Sequence, residues 1–362
     1  MPIPFIDFKR EWKFFEKEFI KVFKKFGRSG IYVLGPEVER FENNFAKYNG
    51  YKYAVGVATG LAALEIALRA NGVKAGDEVI TVSNSAVATS LAITNVGAKP
   101  IFCDIGDDFL IDADQIESLI NKKTKAILPV HLFGKVCNMK KINSLARKYG
   151  LVVVEDACQA HGTEFRDEAK KNTKAFSFYP TKNLGALGEG GMIVTNDEKT
   201  KDFSLSYRNY GQKGRYNHVL KASNYRVDPL QCVLLSEKLR KLDLFIKKRR
   251  QIAALYIKAF KKIKDIEVND FDPGSSYHLF VLRIRGGKRD NLREHLNSKK
   301  IETLIHYPTL IHKQPCYVND YKNIKLPNSE LFQNEILSLP CYPFFTVKEQ
   351  KIVIDEIIRF FK

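Results

Sequence analysis

Leu151-Val152-Val153-Val154-Glu155-Asp156-Ala157-Cys158-Gln159-Ala160-His161-Gly162 runs from four apolar residues straight into two carboxylates and a turn of small side chains. An uninterrupted apolar run of that length suits a strand covered on both faces, as in a parallel sheet. Asp156 then falls at the carboxyl end of the strand, the edge at which α/β proteins bind ligands. The same rhythm extends outward from this stretch. Strands are expected at 54–57, 78–82, 100–104, 126–130 and 151–155, with helices at 61–71, 86–96 and 140–149 between them. Such alternation implies a largely parallel sheet flanked by helices, with Thr59, His131 and Asp156 along its carboxyl edge.

Before this region, residues 12–26 and 37–48 carry helical apolar spacing, and Pro36 suits a first helical position. After Gly191-Met192-Ile193-Val194-Thr195, one long basic helix is expected from about Pro229 through Arg250 towards Phe260. It reads as a bridge between a large domain, residues 1–240, and a smaller C-terminal α/β domain, residues 241–362. The smaller part is expected to hold strands near 278–285, a helix at 290–299 and a closing amphipathic helix at 347–361.

A chain of 362 residues with 44% hydrophobic side chains is long enough for two cores and too apolar for disorder. The net charge of +18 raises nucleic acid as a partner, with an anionic substrate as the second choice. The lysines, however, are scattered in pairs such as Lys24-Lys25 and Lys261-Lys262, and no nucleic-acid-binding motif accompanies them. They read as solvated surface, and no nucleic-acid partner is expected. Six cysteines without a CxxC pair argue against a zinc site and against a disulfide framework, so no metal is expected. No run is long enough to span a membrane and the N-terminal residues lack a signal-peptide pattern, so a cytoplasmic location is expected.

The second decisive stretch is Ser177-Phe178-Tyr179-Pro180-Thr181-Lys182-Asn183, an apolar strand at 176–179 that turns into a lysine ahead of a glycine-rich tail. A lone lysine is ordinarily a surface charge, and a carboxylate at position 156 also suits a helix N-cap. Together they match what pyridoxal phosphate asks of a protein. The acid keeps the pyridine nitrogen protonated, and a partly desolvated lysine forms the Schiff base. Gln159 suits packing over the cofactor ring or against its hydroxyl, whereas His161 suits a site wall and a core position equally. Thr59-Gly60-Leu61 opens a helix whose free N–H groups can hold a phosphate, and Ser177 can add a hydroxyl.

These motifs, with Gly35-Pro36-Glu37-Val38, Gly76-Asp77-Glu78-Val79-Ile80, Pro129-Val130-His131-Leu132-Phe133-Gly134 and Asn224-Tyr225-Arg226-Val227-Asp228, resemble the DegT/DnrJ/EryC1/StrS family of sugar aminotransferases. The likeness covers nearly the whole chain. It implies a fold-type-I aminotransferase with a mostly parallel seven-stranded sheet, pyridoxal phosphate as cofactor with a pyridoxamine phosphate intermediate, and a homodimer with shared active sites. It implies Lys182 as the catalytic residue and Gly60, Leu61, Asp156, Gln159, Ser177 and Asn224 around the cofactor, Asn224 reaching from the partner subunit. Arg226 is implied near phosphate or substrate from that same loop. Three positions depart from the family pattern. Leu61 stands where a threonine hydroxyl is usual, Ala86 where many members stack an aromatic ring on the cofactor, and Tyr225 where serine is common.

The implied reaction moves an amino group from L-glutamate to a keto group of a nucleoside-diphosphate hexose, in amino-sugar biosynthesis of the deoxysugar or lipopolysaccharide O-antigen type. Thr303-Leu304-Ile305-His306-Tyr307-Pro308 is similar to the segment of relatives acting on 3-keto sugars, and His306 and Tyr307 suit either a sugar pocket or a buried turn. The 4-keto, perosamine-type sugar is the runner-up, and a non-catalytic regulatory relative is the remaining alternative.

Overall fold

The computed structural model describes residues 2–165 and 172–362. Helices α1 (Phe8–Ser29) and α2 (Pro36–Asn49) lead into strand β1 (Tyr53–Val57) and helix α3 (Gly60–Ala70). Then follow β2 (Glu78–Val82), α4 (Val87–Asn95), β3 (Lys99–Cys103), the short α5 (Ile116–Leu119), β4 (Thr124–Ile127), α6 (Met139–Tyr149) and β5 (Val152–Asp156). Strands β6 (Thr173–Ser177) and β7 (Gly191–Thr195) complete one sheet, and α7 (Glu198–Tyr207), α8 (Pro229–Leu239) and α9 (Leu242–Phe260) follow. The remainder is β8 (Ile266–Glu267), β9 (Phe280–Ile284), α10 (Arg289–Ser298), α11 (Pro327–Glu335), β10 (Ile336–Leu339) and α12 (Val347–Phe361).

The large sheet has seven strands in the order β1-β7-β6-β5-β4-β2-β3. Only β7 runs against the rest, pairing antiparallel with β1 on one side and β6 on the other. Alternate side chains on each strand enter different cores, as a pleat requires. Val154, Ala175 and Ile193 pack with α3 and α4 residues such as Leu64 and Ile93. Val153 joins Ile142 and Leu145 of α6, while Phe176, Met192 and Val194 meet Phe41 and Phe45 of α2. Both faces are covered, which is why the strands read as continuous apolar runs.

A three-stranded antiparallel sheet, β10-β9-β8, has its own core with Ile252, Tyr256 and Phe260 of α9 and Val353 and Ile357 of α12. The long bridging helix is in fact two, broken at Arg240 and Lys241. The break lets α8 keep Cys232 and Leu235 on the large-sheet core while α9 turns Tyr256 and Phe260 into the small one. Strand β4 ends at Ile127 and not at Val130, since Pro129 has no N–H to continue the ladder; Val130 makes only an isolated bridge to Asp156. Strand β6 stops at Ser177, so Phe178 and Tyr179 belong to the loop that carries Lys182. Among the described residues no helix is long and apolar enough to cross a membrane.

Candidate active site

The carboxyl ends of β1, β2, β5 and β6 converge on a cavity of about 540 Å³. Its lining includes Gly60, Leu61, Asp156, Gln159, Ser177 and Lys182 from the large sheet, and His306 and Tyr307 from the segment before β10. A larger open groove, about 1050 Å³, is lined by α2 and α9 residues such as Tyr48 and Arg250 and by none of these groups.

Asp156 sits at the end of β5, in register with Ala175 of β6. No helix follows it, so it is not an N-cap. One carboxylate oxygen accepts from the Cys158 N–H at 3.1 Å, the other from the Thr89 hydroxyl at 2.8 Å. Thr89 in turn meets the Ser85 hydroxyl at 2.9 Å. The carboxylate is therefore fixed from two sides in a site only 4% exposed.

Lys182 lies on a tight loop after β6. The Phe178 N–H donates to Gly190 at 2.8 Å, the Ala186 N–H to Phe178 at 2.7 Å and the Lys182 N–H to Tyr179 at 2.9 Å. Burial pushes the Lys182 ammonium below the ordinary lysine range, against the opposing pull of Cys158 and Asp156. A lowered lysine holds more free amine near neutrality, the form that attacks a carbonyl.

The Thr59–Gly60 turn opens α3, and the Thr59 hydroxyl accepts from the Ala62 N–H at 3.1 Å. The first-turn N–H groups of Gly60 and Leu61 have no intrahelical acceptor and form an anion cradle. The cradle is tight. A Cβ at Gly60 would come within 2.5 Å of the Ser177 Cβ, and one at Gly191 would collide with the Thr59 carbonyl. Ala86 caps α4 without a side-chain acceptor and borders the same cavity.

The opposite wall is organised by Gln159. Its carbonyl accepts from the Phe133 N–H at 2.8 Å and its amide donates to the Tyr307 hydroxyl at 3.1 Å. Tyr307 thus keeps its own proton for another acceptor, and burial raises it well above the ordinary phenol range. His306 meets the Ser338 hydroxyl through Nδ1 at 2.9 Å and lies against the Phe5 ring. Burial and the Lys182 charge lower it to about 4, so the ring is neutral at physiological pH.

Asn224 and Arg226, implied to serve a partner subunit's site, lie outside this cavity. Asn224 is exposed and bridges Asn209; the Arg226 guanidinium donates to Asn209 at 2.8 Å and lies over Tyr210. His131 also turns away, bonding Glu155 through Nε2 at 2.6 Å within a buried cluster that includes Lys174. His161 is core, against Phe45, Phe176 and Phe178. The sequence reading missed Thr89, Phe5, Ile6 and His278, which also line the cavity. Nothing local marks Phe5 or His278, since each reaches the site only through tertiary contact.

The profile of the DegT/DnrJ/EryC1/StrS aminotransferase family matches residues 14–358. The chain is 40% identical to the dTDP-3-amino-3,6-dideoxy-alpha-D-galactopyranose transaminase of Aneurinibacillus thermoaerophilus, covering 99% of both chains. It is 38% identical to the pleiotropic regulatory protein of Geobacillus stearothermophilus, across 100% of this chain and 99% of that one. Among solved structures, S. venezuelae DesV in complex with a ketimine intermediate superposes with a TM-score of 0.96 at 37% identity, covering 100% of this chain and 99% of DesV.

The residues present fit pyridoxal phosphate. The free helix N-terminus at Gly60, packed so closely on Ser177 that a Cβ would collide with it, suits the phosphate, a doubly hydrogen-bonded Asp156 suits a protonated ring nitrogen, and a desolvated Lys182 suits the aldehyde. The chain belongs to the DegT/DnrJ/EryC1/StrS aminotransferase family, whose chemistry runs on pyridoxal phosphate.

Proposed function

We propose that the chain transfers the amino group of L-glutamate to the keto carbon of a nucleoside-diphosphate 3-keto deoxyhexose. The observation that carries this reading is the juxtaposition of Lys182 and Asp156 with His306 and Tyr307 across one cavity. The 3-amino sugar in the name of the Aneurinibacillus relative supports the position of the carbon. The regulatory name of the Geobacillus relative favours a second reading, a ligand-binding regulator, but the desolvated lysine is what a catalyst needs.

In this reading Lys182 would hold the cofactor through Nζ, Asp156 would pair with the ring nitrogen, and Gln159 would border the ring. Gly60, Leu61 and Ser177 would hold the phosphate. Pyridoxal phosphate, when bound, supplies the electron sink that lets a proton leave the α-carbon of the amino donor. Once released from its anchoring role, Lys182 carries that proton at Nζ, as base and then as acid. Tyr307 donates its free O–H to a substrate oxygen, and the neutral His306 lines the sugar end.

The site is completed by a second copy of the chain. Among the described residues Lys182 is the only lysine or arginine lining the cavity, too few for the two carboxylates of glutamate and a diphosphate, and Asn224 and Arg226 lie outside the cavity of their own chain. Trp12, Phe23, Ile31, Tyr32 and Val33 are exposed apolar groups that such a dimer would cover. We place the division between cofactor-binding and small domains near residue 240, and the enzyme in the cytoplasm, a location that six free cysteines suit.

The test is spectroscopic. The purified protein with pyridoxal phosphate should show a visible band that glutamate bleaches and a 3-keto nucleotide sugar restores, and 4-keto sugars should restore it poorly. Lys182→Ala should lose the reducible covalent link to the cofactor. A band that no amino donor moves would refute the reading.

A further inference from the structure

His278 lies two residues before β9 and borders the cavity beside Lys182, His306 and Tyr307, yet none of the chemistry described so far uses it. Its surroundings fix its tautomer. The Asn183 amide nitrogen faces two carbonyls, those of His161 and Ser276, each at 3.3 Å, so its carbonyl oxygen is the atom turned towards His278 Nδ1 at 3.4 Å. A carbonyl oxygen cannot donate, so Nδ1 carries the proton and Nε2 carries the lone pair. Among the described residues no protein group is hydrogen-bonded to that Nε2, and the residue itself lines the cavity.

The ring is also kept neutral. Burial drives its protonation well below the ordinary histidine range, and Lys182, Arg249, His306 and His161 add to the effect in that order. Arg249 is itself buried, and its guanidinium clamps the segment by donating to the carbonyls of Tyr277 at 3.2 Å, His278 at 3.1 Å and Cys341. The backbone that carries the imidazole is therefore fixed. A rigid, neutral acceptor repels a carboxylate and suits a hydroxyl, so it fits a sugar hydroxyl and not the carboxylates of an amino acid.

We infer that His278 contacts the substrate, its Nε2 accepting a hydrogen bond from a hydroxyl of the keto sugar next to the reacting carbonyl. The inference rests on the aminotransferase reading above and deepens it. The substrate must carry a free hydroxyl beside its keto group, and His278 separates the sugar half-reaction from the glutamate half-reaction.

The experiment compares the wild-type holoenzyme with His278→Phe, His278→Gln and His278→Asn in single-turnover absorbance measurements. The probes are L-glutamate for one half-reaction and a dTDP-linked 3-keto-6-deoxyhexose for the other. Phenylalanine removes the lone pair, glutamine restores an acceptor near Nε2, and asparagine places one only near Nδ1. His278→Phe should leave the glutamate rate within about 3-fold of wild type and lower kcat/KM for the keto sugar by roughly 10-fold or more. His278→Gln should recover most of that loss and His278→Asn should not. Should His278→Phe fail to fold, the glutamine–asparagine contrast decides alone. Equal losses in both half-reactions without rescue by glutamine, or an unchanged kcat/KM for the sugar, would overturn the inference and leave the aminotransferase reading standing. A wild-type enzyme that accepts glutamate but no keto sugar would remove both.

Discussion

Asp156 and Lys182 are legible as chemistry because each stands at an abrupt end of an apolar run, where a charge needs a reason to be. Thr89 carries no such mark. It lies inside an ordinary helix, and only the packing of α4 against the end of β5 aims its hydroxyl at the Asp156 carboxylate, 2.8 Å away. A hydrogen bond to a charged group contributes about 1.5–3 kcal/mol. Thr89→Val keeps the shape and removes the donor, so cofactor affinity and turnover should each fall by roughly 10-fold, read by equilibrium dialysis and steady-state rates. Unchanged affinity would show that the Cys158 N–H alone holds the carboxylate. His161 is the opposite case, a residue that the sequence leaves open between site wall and core. Its neighbours in sequence suggest a site, but burial among three phenylalanines lowers it to about 3 and makes it part of the core.

At the scale of elements, the first and last helices are tied together across the whole chain length. Arg10 of α1 meets Glu349 of α12 at 2.6 Å, and Glu349 also closes a capping box with Thr346. Arg10 holds the carboxyl at about 2, below its ordinary value of 4.5. A lowered carboxyl contributes stability that is complete above pH 4.5 and is lost as pH falls towards 2. The guanidinium is more than a third exposed, so screening limits the pair to about 1 kcal/mol or less. Arg10→Ala should therefore lower the free energy of unfolding by about that amount at pH 7, and the gap should close by pH 2–3 in urea titrations. A gap independent of pH would assign the effect to lost packing. Neither partner of this bond is predictable from spacing, since 339 positions separate them. The break between α8 and α9 is likewise invisible in the sequence, because Leu242 and Ile246 continue the apolar spacing on the large-sheet core and helical periodicity does not record a change of axis.

For the whole molecule, the central question is whether Arg226 serves its own chain or a second copy. Mixing chains carrying Lys182→Ala with chains carrying Arg226→Ala tests this directly. If sites are shared, mixed dimers hold one site with both side chains intact, and the mixture should regain a measurable share of activity that neither variant has alone. No recovery after verified subunit exchange would place Arg226 in cis. Sedimentation of the mixture checks that dimers form.

By itself the sequence determined the layered α/β architecture and that Gly60, Asp156, Gln159 and Lys182 fall along one edge of it, where they line a single cavity. These follow from local rules: apolar runs set buried strands, small residues set tight turns, and charges at strand ends fall on one edge. Tertiary structure alone decided the opposite wall of the cavity. The N-terminal Phe5 and Ile6, His278, His306 and Tyr307 come from three distant segments, and no periodicity fixes how one sheet faces another. It also decided protonation, because whether an imidazole is a charge, a donor or a lone pair depends on its burial and on the partner of its other nitrogen. His278 is an acceptor only because Asn183 occupies its Nδ1, a relation between residues 95 positions apart.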